Sequence, residues 1–229
     1  GYGYEGDIQV MPNGVNIRKV KQTAVQEVEN RWQLGRDPMF LFVGQMNWKK
    51  NIATVLDGCA LLKKEGRKFH LILAGQGPDM KEIEEKIYQN DLQGCTHLAG
   101  HVTDMELLDG LYARADVFAF PSHYESAPMV IREAAVMGTP SVLVRGSCAA
   151  DVVRENENGY LCENTAESLR DVLRSVLDDR DTLQRISMNA LQTIPVPWET
   201  LMEQVVERYE RLMALNREGK LRKKYLRVV

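Results

Sequence analysis

Two acidic residues separated by seven others, Glu125 and Glu133, are the side chains best placed to do chemistry. They fall in the stretch 116–146, DVFAFPSHYESAPMVIREAAVMGTPSVLVRG. The apolar run Val117 to Phe120, bounded by Asp116 and Pro121, reads as a buried strand of a parallel sheet. A polar loop, Ser122 to Ala127, follows it. Pro128 suits the first position of a helix, where its missing N–H costs nothing. That helix is expected to run to about Met137 and stop at Gly138, with Pro140 beyond. Ser141 to Val144 is the next strand. The backbone amides of Ser126, Ala127, Met129 and Val130 then lie at a helix N-terminus. Unpaired N–H groups and the positive end of the helix dipole suit an anion there, such as a phosphate. A carboxylate beside it can accept hydrogen bonds from sugar hydroxyls. A plainer alternative is a solvated loop Glu and a helix-surface Glu.

The elements around this stretch alternate. Ile8 to Met11, Met39 to Val43, Phe69 to Ala74, His97 to Ala99 and Tyr160 to Cys162 read as strands. Residues 18–34 read as a polar surface helix. Ile52, Val55, Leu56, Cys59 and Leu62 form the stripe of an amphipathic helix ending near Gly66. Met80, Ile83 and Ile87 mark a helix opening at Pro78. Thr103 is expected to cap the next helix, with Glu106 completing a capping box and Leu107, Leu108 and Leu111 packing inward. Residues 165–178 and 180–193 are two further amphipathic helices, and Trp198 opens the last, to about Leu215. Alternation of strands and helices from residue 39 to 162 argues an α/β parallel sheet with helices on both faces. Gly75-Gln76-Gly77 lacks the third glycine of a dinucleotide fingerprint, since Met80 stands there. Its glycines are expected to let the chain approach a ligand.

With FPSHYESAPMVIREAAVMGTP on the page, the chain resembles retaining GT-B glycosyltransferases, in particular glycosyltransferase family 4. The matching positions are Pro121, Ser122, Glu125, Glu133, Ala134, Gly138 and Pro140. The resemblance implies a Rossmann-like doubly wound sheet forming the C-terminal half of a two-domain GT-B fold. It implies a hexosyltransferase that moves a sugar from a nucleotide-diphosphate sugar to an acceptor with retention, this chain binding the donor. Glu133 would bond the ribose hydroxyls and Glu125 the donor sugar. Backbone N–H groups from Ser126 to Val130, with Lys50, would neutralise the diphosphate. Lys50 and Glu125 are therefore the implied catalytic pair. Gly44, Gln45, His101 and Val102 complete the implied donor site, His101 and Val102 lying near the base. Gln45 stands where the family usually has Arg, and an amide brings no charge. No metal and no cofactor is implied beyond the nucleotide sugar. Two other classes stay open: a sugar-nucleotide epimerase of the same fold, and a binding module without turnover.

By the same resemblance, residues 1–16 end an N-terminal domain and form a linker, with the turn Pro12-Asn13-Gly14. Residues 17–195 form the nucleotide-sugar-binding domain, and 196–229 a helix that packs back toward the first domain. That first domain is expected to precede Gly1 and to bind the acceptor, so the fragment alone is expected to be inactive. The loop RGSCAA, 145–150, is similar to loops of enzymes that glycosylate lipids. The net charge of −3 over 229 residues gives no reason to expect nucleic acid. No run approaches 18 apolar residues, and no signal peptide is evident. Four scattered cysteines without zinc spacing fit reduced thiols and a cytoplasmic setting. The basic tail from Arg217 to Arg227 could touch the inner face of an anionic membrane, contact the N-terminal domain, or simply end a solvated helix.

Overall fold

A computed structural model describes residues 11–219 except Tyr124 and Ser126. The strand expected at Ile8 to Met11 and the tail beyond Gly219 lie outside the described residues, apart from Met11 itself. The chain divides into two compact units, Ile17–Pro195 and a smaller one built from the residues before Ile17 and after Pro195.

The larger unit opens with α1, Gln22–Trp32. Then β1 (Met39–Val43), α2 (Ile52–Lys64), β2 (His70–Ala74), α3 (Met80–Gln89) and β3 (Thr96–Gly100) follow in order. α4 (Met105–Arg114), β4 (Val117–Ala119), α5 (Met129–Val136), β5 (Ser141–Val144), β6 (Tyr160–Cys162), α6 (Ala166–Asp178) and α7 (Arg180–Thr193) complete it. The six strands are parallel, in the order β3-β2-β1-β4-β5-β6. The order reverses between β1 and β4. Such a topological switch opens a crevice at the carboxyl ends of the two strands. Right-handed crossovers on either side of the switch send their helices to opposite faces. The helices α1, α4 and α5 accordingly pack in one series, and α3, α2 and α6 in another. This is the Rossmann-like α/β fold that the alternating pattern predicts.

The apolar runs explain the sheet. Met39, Phe40, Leu41 and Phe42 are all fully buried, as are Leu71, Ile72 and Leu73. Strands covered on both faces read as unbroken apolar segments. The helix stripe Ile52, Val55, Leu56, Cys59 and Leu62 is likewise fully buried. Cys59 is a free thiol, and burial pushes its pKa up strongly.

Two local expectations are corrected. α4 is capped by Asp104 rather than Thr103: its carboxylate accepts from the N–H groups of Glu106 (2.8 Å) and Leu107 (3.4 Å). A carboxylate answers both the unpaired amides and the positive end of the dipole, which a hydroxyl does less well. α5 starts at Met129, with Pro128 as its extended N-cap rather than its first residue. Its end is as expected. Gly138 has φ +79°, its N–H donates to Ala135 O (3.0 Å), and that of Thr139 donates to Ala134 O (2.9 Å). This pair of bonds is a Schellman motif, which turns the chain sharply into β5.

In the smaller unit, the Val15 N–H donates to Val196 O at 2.8 Å. Gly14 lies so close to Trp198 that a Cβ would meet its ring at 2.5 Å. α8, Trp198–Arg217, carries an exposed apolar row: Trp198, Met202, Val206, Tyr209 and Met213. Among the described residues, no helix is long and apolar enough to cross a membrane.

Candidate functional site

The loops that leave β1 and β2 are laced together. Gly44 N–H donates to Ala74 O (3.0 Å) and Met46 N–H to Gln76 O (3.1 Å). This approach is what demands the two loop glycines. A Cβ on Gly75, at φ +144°, would sit 1.8 Å from Gly44 O, and one on Gly77 would sit 2.2 Å from Met46 O. The expected reason was room for a ligand; the geometric reason is room for a neighbouring backbone. Above the lacing opens a cleft of about 760 Å³ at the carboxyl ends of β1, β2 and β3. Val43, Gly44 and Gln45 line it from β1, and residues 74–77 line it from β2. His101, Val102 and Leu108 close its far side. Four of the sequence-predicted residues, Gly44, Gln45, His101 and Val102, thus share one cleft.

Lys50, Glu125, Ala127, Met129, Val130 and Glu133 are not among the described residues lining it. Lys50 and Glu125 meet instead at the switch point, 75 residues apart in the chain. The Lys50 ammonium forms an ion pair with Glu125 Oε1, and Ser122 Oγ donates to the same oxygen at 2.8 Å. Their side chains are 27% and 13% exposed, so the pair is reachable but largely withdrawn from water. Beside it stands the N-terminus of α5, which receives no side-chain cap from Pro128 and has no acidic residue in its first turn. The amides of Met129 and Val130 belong to that turn, whereas Ala127 precedes it and Ser126 lies outside the described residues.

Glu133 belongs to a third group that periodicity does not reveal. Tyr112, fully buried, donates its hydroxyl to Glu133 Oε2 at 3.3 Å. Burial first, and Glu133 second, push the Tyr112 phenol well above its ordinary pKa, so it stays a donor. Asp109 grips Arg18 from the same helix, with Nε at 2.7 and 2.8 Å and Nη2 at 2.6 Å. The hydrogen bond that Arg18 donates to Asp109, offset by burial and reinforced by the nearby Glu133 charge, raises the Arg18 pKa. Tyr112 is one helical turn beyond Leu108, a cleft residue. Arg18, Asp109 and Tyr112 carry no motif, and only the fold brings them to Glu133.

The family model described as glycosyl transferases group 1 matches residues 26–193, most of the chain. The chain belongs to this family. It is 29% identical over 172 residues to a glycogen synthase of Mycobacterium tuberculosis, covering 74% of this chain and 41% of that protein. It is 29% identical over 189 residues to the O-antigen chain mannosyltransferase B of Escherichia coli, covering 81% of this chain and 49% of that protein. The chain thus spans less than half the length of these relatives. Among solved structures it superposes on Anabaena HepE in complex with UDP-glucose, with a TM-score of 0.76 at 22% identity. That match covers 87% of this chain and 56% of HepE. It also superposes on the C-terminal domain of a glycosyl transferase group 1 protein, LpcC, from Francisella tularensis. There the TM-score is 0.69 at 18% identity, covering 79% of this chain and 96% of that one. The fold is that of GT-B glycosyltransferases, and the family match does not favour the epimerase alternative.

Proposed function

We propose that this group 1 chain is the donor-binding domain of a retaining hexosyltransferase of the family 4 kind. The single observation that carries the reading is the placement of Lys50 and Glu125. They meet at the topological switch point, beside the N-terminus of α5, to which Pro128 gives no side-chain cap. Open α/β sheets bind ligands at that point, and a helix N-terminus favours phosphate.

In this reading the base and ribose enter the cleft near His101 and Val102, within reach of Glu133. The diphosphate takes the Lys50 ammonium and the α5 amides. Glu125 receives the hydroxyls of the sugar, so Lys50 turns from Glu125 toward the ligand as the donor binds. When the glycosidic bond breaks, charge grows on the diphosphate, and the same groups stabilise the transition state. No metal takes part. Residues 17–195 form the donor domain, 1–16 lead into it, 196–229 pack back toward a preceding domain, and that domain binds the acceptor. The whole protein would then work on the cytoplasmic side, where a basic tail can meet an anionic membrane.

The experiment is calorimetric titration of the chain with UDP, UDP-glucose, GDP and GDP-mannose, with inorganic pyrophosphate as the control. The expected result is saturable binding of one nucleotide and its sugar derivative, without turnover. Binding of pyrophosphate as tight as that of the nucleotides would contradict it.

A further inference from the structure

Asn51 follows Lys50 and occupies the left-handed region, φ 59° and ψ 33°. An Asn ahead of an apolar helix ordinarily caps it, but here the side chain makes no cap to α2. It spans three loops instead. Its Nδ2 donates to Pro121 O (2.9 Å) and to Asn164 Oδ1 (2.6 Å), while its Oδ1 accepts from Thr54 Oγ1 (2.8 Å). The Pro121 carbonyl, which can only accept, fixes which end of the amide is which, and both amide hydrogens then have acceptors. The carboxyl ends of β1, β4 and β6 are therefore tied by one side chain.

These bonds close a ring. Lys50 is bonded through the chain to Asn51, Asn51 to the Pro121 carbonyl, and Pro121 through the chain to Ser122. Ser122 holds Glu125, and Glu125 pairs with Lys50. An anionic ligand competes for the same ammonium and can open the Lys50–Glu125 link of this ring. Once that link opens, the Asn51 bond to Pro121 still ties the loop carrying Glu125 to the loop carrying Lys50. We infer that Asn51 is a positioning residue that keeps Glu125 within reach of the donor sugar while Lys50 serves the diphosphate. This rests on the donor-site reading above.

The test uses Asn51→Gly, which keeps the left-handed backbone without strain and deletes the amide. Wild type is titrated first with UDP, UDP-glucose, GDP and GDP-mannose, and the pair that binds is carried forward. The variant should bind the free diphosphate within about twofold of wild type and lose about tenfold for the sugar nucleotide, a difference well within calorimetric reach. In a Glu125→Gln background the same substitution should cost less than about twofold more, since residues acting as one unit are not additive. If Asn51→Gly does not fold, Asn51→Asp replaces the donor NH2 by a carboxylate and should show the same selective loss. Equal losses for both ligands, or the same loss with and without Glu125, would overturn the inference while leaving the donor site standing. Absence of wild-type binding to all four ligands would overturn both.

Discussion

Lys50 and Glu125 are each other's partner in the folded chain, so in the proposed reading a donor's diphosphate would enter a site where one of its two expected cations is already paired. The other, an Arg, is replaced by Gln45, exposed on the wall of the cleft. Gln45→Arg should therefore tighten nucleoside diphosphate binding by about tenfold, a gain of about 1–2 kcal/mol for a charged fork. Lys50→Ala should loosen binding, and added salt should narrow both differences. If the exposed Lys49 already supplies the charge, Lys49→Ala weakens binding as much as Lys50→Ala, and Gln45→Arg gains nothing. Affinities of the three variants at low and high salt decide between these outcomes. The pairing of Lys50 with Glu125 was legible only as two separate motif residues, because their meeting depends on strand order. The surroundings of Glu133 were not legible at all. Tyr112 lies 21 residues away and Arg18 far earlier, and neither has a type or spacing that distinguishes it from ordinary core or surface.

Among the elements, the strands declared themselves as apolar runs because both faces of the sheet are covered. Three of those described, β1, β5 and β6, have the expected ends. β3, half-exposed at the sheet edge, extends one residue further at each end than its short apolar core suggests. Helix starts were less legible, since Thr103 and Asp104 are both good caps and only geometry chooses. Asp104→Ala should cost about 1 kcal/mol of stability, the ordinary value of a lost N-cap, and Thr103→Ala much less. Chemical denaturation of the two variants distinguishes them. The loop glycines form a second contrast. Gly75→Ala brings a Cβ into the Gly44 carbonyl and should cost about 3 kcal/mol or more, the upper end of overpacking. Gly138→Ala meets nothing within 4 Å and should cost only the left-handed backbone penalty, about 1 kcal/mol. Loss of nucleotide binding should accompany the first, because the laced loops form the floor of the cleft.

At the scale of the larger unit, a histidine pair remote from the motifs should make stability depend on pH. His70 Nδ1 and His97 Nε2 lie 2.9 Å apart on neighbouring strands. Burial lowers both pKa values; Arg114 lowers that of His70 further and Asp37 opposes it, while His70 lowers that of His97. Both groups take up protons more readily in the unfolded chain, whose histidines titrate near about 6.5. Their contribution is thus full above that value and is lost as pH falls through it. Thermal unfolding should shift to lower temperature between about pH 7.5 and pH 5.5, and His97→Gln should flatten that dependence. The switch between β1 and β4 gives the unit its functional direction: it gathers a cleft, an ion pair and a helix N-terminus at one end of a parallel sheet. The central claim is that this end reads a nucleotide sugar with two carboxylates in different roles. It is tested most directly by calorimetric titration of Glu133→Ala and Glu125→Ala with both a nucleoside diphosphate and its sugar derivative. Glu133→Ala should weaken both ligands, and Glu125→Ala only the sugar nucleotide, each by about 1.5–3 kcal/mol, the cost of a lost charged hydrogen bond. The same ligand pattern in both variants would contradict the account.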